Sequence, residues 1–361
     1  MITQPLAPLT TLGLGGPARE FVRATTEAEI LSAVERATAH ELPLYPLGGG
    51  SNLVVADEGV EGLVLAIDSR GIDFHPDGDG VLVTAAAGEP WDAFTELLCA
   101  RGWAGVECLG GIPGKVGATP IQNVGAYGQE VSDVVVSVRA LERSTLRVVE
   151  LDRQACAFAY RDSFFKREGK DRFVVLSVTF RLSVKRSSRP DYPELARALG
   201  RAAELVSPEE ARRAVIELRR QKSMVLDPCD ENARSCGSFF VNPRVTAEQL
   251  AYVATVAGGA PPAFPDPSGL IKLPAAWLIE RAGLQKGMRH GAVGLSSRHT
   301  LALVAHRGAT ARQVVDFARF VQATVREVFR VQLEPEPNFW GFAGVEPGHL
   351  PAAAPGEAPA N

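Results

Sequence analysis

Basic residues are not in excess in this 361-residue chain: 38 Lys and Arg stand against 42 Asp and Glu, a formal net charge of −4. That balance excludes a general binder of nucleic-acid phosphate, which needs a clustered surplus of positive charge. Long apolar runs are missing as well. Nothing approaches the roughly 20 residues of a spanning helix, so no membrane span is expected. The start, MITQPLAPLTTLG, has no basic segment leading into an apolar one, and a cytoplasmic protein is expected. The five cysteines, Cys99, Cys108, Cys156, Cys229 and Cys236, form no CxxC, and the six histidines form no HxxxH. No metal site is expected, and the thiols read as reduced side chains. There is no GxxxxGK[ST], which removes the P-loop nucleotide hydrolases.

Helix starts are well marked. Thr26-Glu27-Ala28-Glu29 has the form of a capping box, with Ile30, Leu31, Val34 and Ala37 as the apolar stripe behind it. Ser207-Pro208-Glu209-Glu210 places Pro at a first helical position, and helices are read from Thr246 and Thr310 too. The last runs to Phe329 with Val314, Phe317, Ala318, Val321 and Val325 inward. Strand-like runs lie at 42–47, 62–67, 81–86, 134–141, 173–182, 301–305 and 331–333. Strands and helices mix without a strict βαβ rhythm, which suggests α+β. The polar stretch 183–192 reads as a connection and 345–361 as a disordered tail.

What is plentiful is glycine, and it is clustered. Gly13 to Ala18 has the form GxGxxA, but no apolar strand precedes it and Pro17 interrupts it, so the dinucleotide fingerprint is rejected. In Leu44 to Asn52 a short apolar strand runs into Gly48, Gly49, Gly50, Ser51 and Asn52. Bare N–H groups there can turn toward one anion; taken alone it could equally be a turn with no ligand. The stretch 110–128, GGIPGKVGATPIQNVGAYG, holds six glycines in nineteen residues. Long loops of this kind inside compact domains are usually functional, and two such loops suggest an extended dinucleotide cofactor gripped from two sides.

The set GGGSN, IPGKVGATPIQNVGAYG, YRDS, GSFFVNP and LEPE, in this order, resembles the UDP-N-acetylenolpyruvoylglucosamine reductase (MurB) family. The likeness runs from about Thr10 to Phe342. The segment around Tyr192, in YPEL, resembles the subgroup that keeps a tyrosine-bearing loop. The resemblance implies a vanillyl-alcohol-oxidase/PCMH-type FAD-binding domain in two lobes plus a separate α/β substrate-binding domain. The bounds read from it are 1–68 and 69–206 for the lobes, with 331–344 returning to the second, and 207–330 for the substrate domain.

It also implies non-covalent FAD, held by Gly48, Gly49, Gly50, Ser51, Asn52, Ile112, Pro113, Gly114, Gly117, Ala118, Gln122, Asn123, Gly125, Ala126 and Tyr127. NADPH is implied as hydride source and UDP-N-acetylglucosamine enolpyruvate as substrate, reduced to UDP-N-acetylmuramate by hydride from flavin N5. Arg161 matches the catalytic arginine, whose fork suits a carboxylate. Ser238 matches the proton donor and Glu336 the catalytic glutamate. Tyr192, Lys222, Asn242 and Lys272 fall on positions that contact the UDP portion. A monomer is expected. Phe264, Asn338 and Thr10 depart from frequent residues of the family. Without the resemblance, Arg161 reads as a surface arginine paired with Asp162, Ser238 as a turn serine and Glu336 as a solvated carboxylate. The rival readings are another oxidase on the same flavin fold, usually with covalent flavin, and a non-enzymatic nucleotide-binding regulator.

Overall fold

The computed structural model describes residues 3–184, 192–200, 206–345 and 348–352. The chain divides into two compact units: residues 1–3, 18–49 and 61–226 in the first, and 4–17, 50–60 and 227–361 in the second.

The first unit carries two sheets over one core. Strand Val60–Ile67 is flanked by Pro17–Ala24 and, in parallel, by Leu44–Leu47. The five-stranded sheet is antiparallel, in the order Arg147–Asp152, Val135–Glu142, Phe173–Ser183, Gly80–Ala86 and Ile72–Asp77. Helix α1, Glu27–Ala39, begins with the capping box read at Thr26, and Ile30, Ala33, Val34 and Ala37 are buried. Helix α2, Trp91–Ala100, inserts Trp91 and Phe94 beside Phe180, with ring centroids 5.4 to 6.0 Å apart. Residues from both sheets and both helices share this core. α3 is Pro193–Leu199 and α4 is Pro208–Gln221.

The sequence reading groups α4 with the substrate domain; the structure packs it in the first unit. Val215 and Leu218 join Cys108 and Leu195 in a small apolar cluster, and the Arg212 guanidinium pairs with Asp92. The first compact unit ends at Leu226.

The second unit holds α5, Ala247–Ala257, α6, Ala275–Arg281, and α7, Ala311–Phe329. It also holds two small three-stranded sheets, one of Arg244–Val245, Ile271–Lys272 and Phe264–Pro265, the other of Arg289–His290, Val293–Leu295 and Leu303–Ala305. All five residues expected on the inward side of α7 are buried, and Asp57 accepts from the Ala311 and Arg312 N–H groups at 2.8 and 3.0 Å. An anion at this helix start also complements the helix dipole.

Two stretches differ from the reading. Val331 and Leu333 are buried, but residues 331–333 form no strand; the Gln322 side chain takes the Leu333 carbonyl at 2.7 Å instead. Strand Asn338–Trp340 pairs in parallel with Leu53–Val55, which the reading puts in the first lobe rather than the second. Within the expected tail, Leu350 packs against the second unit's core and the Pro351 carbonyl accepts from Arg319. Residues 346–347 and 353–361 of that tail, and most of the connection at 183–192, lie outside the described residues.

Candidate active site

The two glycine loops meet through bare backbone. A Cβ built on Gly49 would lie 2.6 Å from the Gly114 Cα, and one on Gly117 would lie 2.5 Å from the Ala87 Cβ. Neither contact admits a side chain, and the one between Gly49 and Gly114 brings the main chains of the two loops together as a phosphate cradle requires. Gly48 faces Ala118 and Lys115 at ordinary contact distance. The Lys115 ammonium pairs with Asp68 and donates to the Ile67 carbonyl at 2.7 Å. Burial opposes the Asp68 charge, but the Lys115 and Arg23 bonds outweigh it and hold the carboxyl below its usual range. Gly50, Ser51 and Asn52 belong to the second unit, where a Cβ on Gly50 would meet the Leu9 carbonyl oxygen at 1.9 Å.

Arg161 sits on a tight reversal. Ala159 and Asp162 exchange main-chain hydrogen bonds at 3.0 and 3.1 Å, and Arg161 takes a left-handed φ of +54° where glycine is usual. The turn is tied to the second glycine loop three times. The Ser163 hydroxyl donates to the Ile121 carbonyl at 2.6 Å and the Asn123 amide to the Ala159 carbonyl at 3.0 Å. Arg161 Nη2 donates to the Gly125 carbonyl, and a side chain on Gly125 would crowd that guanidinium. The neighbouring Asp162 pairs with Arg167.

Asn123 was expected to hold cofactor. Its side chain is fully buried and bonded within the protein, giving Nδ2 to Glu130 and Ala159 and accepting from the Ser132 N–H at 3.0 Å. It fixes the loop to the Arg161 turn and leaves only its main chain for a ligand.

Tyr127, Tyr192 and Lys222 come together in the first unit. The two phenol rings meet edge to face at 5.4 Å, and the Lys222 ammonium lies 5.5 Å from the Tyr127 ring centroid. Lys222 ends α4 and pairs with Glu194 at 2.6 Å. Burial pushes the Tyr127 phenol up to about 12, so the ring stays neutral. Arg219, on the buried side of α4, also lies against this cluster. It is one helical turn beyond Val215, a period that marks it as inward-facing, but the basic run around it reads as a solvated face.

In the second unit Ser238 and Glu336 lie on paired extended segments. Phe240 bridges Pro335, the Glu336 N–H donates to the Phe239 carbonyl at 2.9 Å, and the Val241 N–H to the Glu334 carbonyl at 3.0 Å. The Asn52 side chain donates to the Glu336 carbonyl at 3.2 Å. Ser238 itself bridges Ala302, and its hydroxyl makes no hydrogen bond to another described residue. Burial first, and then the Glu336 carboxylate, push the neighbouring Cys236 thiol up, so it is no nucleophile.

Asn242 was expected on the substrate; its Oδ1 accepts from the Ala275 N–H at 2.9 Å and so caps α6. Lys272 sits in its strand opposite Arg244 and Phe264. Of the three departures, Phe264 is exposed, Asn338 pairs with Leu53, and Thr10 donates to the Leu14 carbonyl.

Residues 18–151, which include the second glycine loop and the Gly48–Gly49 turn, match the model of the FAD binding domain. With the two-sheet fold, that makes this part of the chain an FAD-binding domain. Residues 227–340 match the UDP-N-acetylenolpyruvoylglucosamine reductase, C-terminal domain. The reductase of that name from Thermobifida fusca is 48% identical over 93% of this chain and 97% of its own length. The one from Streptomyces coelicolor is 48% identical over 94% and 90%. A crystal structure of the Thermus caldophilus enzyme superposes with a TM-score of 0.63 at 25% identity, covering 94% of this chain and 98% of that one. The chain belongs to the UDP-N-acetylenolpyruvoylglucosamine reductase family. No helix among the described residues is long and apolar enough to cross a membrane.

Proposed function

We propose that this flavoprotein reduces UDP-N-acetylglucosamine enolpyruvate to UDP-N-acetylmuramate at the expense of NADPH, in peptidoglycan precursor synthesis, as a cytoplasmic monomer. Gly48, Gly49, Gly114 and Gly117 are the residues that would hold FAD through main-chain N–H groups, and their packing leaves no room for side chains. Bound FAD would supply two-electron hydride chemistry between NADPH and the enol ether.

Everything else falls to side chains. Hydride addition leaves negative charge spread over the carboxylate end of the substrate, and Arg161 forks onto it with two N–H groups. The Gly125 carbonyl and the strained turn hold that fork in one orientation. The Ser238 hydroxyl gives its proton to the neighbouring carbon, which completes the saturated lactyl group. A serine alkoxide is a poor leaving form, so Glu336 orders the enol and supports the serine. Tyr192 and Lys222 take the UDP portion, with Lys222 exchanging Glu194 for phosphate oxygen.

The reading is supported most by the pairing of the segments that carry Ser238 and Glu336, which brings a hydroxyl-bearing and a carboxyl-bearing stretch together across 97 intervening residues. The test is NADPH oxidation by the purified yellow protein with and without the sugar nucleotide. Oxidation that depends on the sugar nucleotide supports the reading. Oxygen consumption that ignores it would favour an oxidase on the same fold.

A further inference from the structure

Arg219 stands three residues before Lys222 on α4. It is nine-tenths buried, and its Nη2 donates to the Met224 carbonyl at 2.7 Å. Its Nε is the one buried side-chain nitrogen or oxygen without a hydrogen-bond partner among the described residues. A charged donor left orphaned under such burial is costly, and proteins keep such a group where something else completes it. No carboxylate does so. Asp92, which is close enough to act on Arg219 through its charge, bonds the Gly111 N–H and Arg212.

The surroundings of that Nε are specific. A Cβ on Gly111, at φ +72°, would lie 2.7 Å from the Ile216 Cδ1 and 3.3 Å from that Nε, so position 111 has no room for a side chain beside the nitrogen. Tyr127 is near enough that the guanidinium acts on its phenol. Gly111 and Tyr127 each lie one residue inside an end of the second glycine loop, and both fall in the stretch that matches the FAD binding domain.

We propose that Arg219 is a cofactor-facing residue: its Nε–H is reserved for an acceptor oxygen of the bound flavin nucleotide, and its charge favours the reduced cofactor. This rests on the FAD assignment. Reduction adds negative charge to the cofactor, and a buried guanidinium beside it stabilises that charge far more than an exposed one would. Lysine could keep the charge, but not the directed N–H of a planar fork.

The test uses full-length holoprotein of wild type, Arg219→Gln and Arg219→Lys. Three quantities are measured: the FAD dissociation constant, the flavin midpoint potential by dye equilibration, and the thermal midpoint of the apoprotein. In Arg219→Gln, FAD binding at least tenfold weaker and a more negative potential are expected. In Arg219→Lys, weaker binding with a potential near that of wild type is expected. If both variants keep wild-type FAD affinity and potential while the apoprotein melts earlier, Arg219 only braces Met224 and the proposal fails. Loss of sugar-nucleotide affinity alone, with the flavin unchanged, would put the acceptor on the substrate and also overturn it. A wild-type protein that binds no FAD would instead sink the cofactor assignment, and that is measured first.

Discussion

The Asn52 side chain donates to the main-chain carbonyl of Glu336 at 3.2 Å, and the Asn338 N–H returns a bond to the Asn52 carbonyl at 3.0 Å. A residue of the first glycine loop thus anchors the segment that bears the proposed catalytic glutamate.

Replacing Asn52 by Ala should act through Glu336. One such hydrogen bond is worth about 1 kcal/mol, so kcat should fall roughly tenfold or less. FAD affinity should fall less than kcat does. Steady-state kinetics beside FAD titration check this; a variant that loses flavin with kcat of the loaded fraction intact would make Asn52 a cofactor contact only.

Gly49→Ala should weaken FAD binding. The new methyl would lie 2.6 Å from the Gly114 Cα, and opening the two loops to fit it costs about 1–3 kcal/mol, roughly tenfold or more in affinity. Equilibrium dialysis against FAD measures it, and unchanged affinity would remove the two-loop cradle.

Much of this was legible in the sequence. The starts of α1, α4, α5 and α7 each carry a side-chain capping box spelled locally, at Thr26, Ser207, Thr246 and Thr310. α2 and α6 were missed because their caps are not spelled locally. Both follow proline, and the first N–H of α6 is capped by Asn242, 33 residues away. Strand Arg147–Asp152 was missed because it is an edge strand whose alternating charges face solvent. Five motifs in one order revealed the candidate site. What they could not reveal was how such side chains are bonded within the protein: the Asn123 side chain through both its amide atoms and Asn242 through its Oδ1. Arg219 was hidden for the opposite reason, since a basic run at a helix end reads as a wet surface.

Asp68 should make the fold acid-sensitive. Lys115 and Arg23 hold its folded-state pKa below the ordinary value of 3.8. A depressed carboxyl stabilises the fold above its unfolded pKa, and that contribution is lost as pH falls through the folded value. Asp68→Asn should therefore lower the thermal midpoint at pH 7, with the gap to wild type closing as pH drops below about 4. A gap of constant size from pH 7 to pH 3 would mean that the carboxylate charge contributes nothing there.

The account turns on Ser238 as the proton donor, and anaerobic stopped-flow of Ser238→Ala tests it. The flavin should bleach with NADPH at the wild-type rate, while reoxidation by the enolpyruvyl sugar nucleotide should slow by roughly 10²–10⁴-fold, the usual worth of a positioned proton donor. Reoxidation at the wild-type rate in that variant would contradict the account.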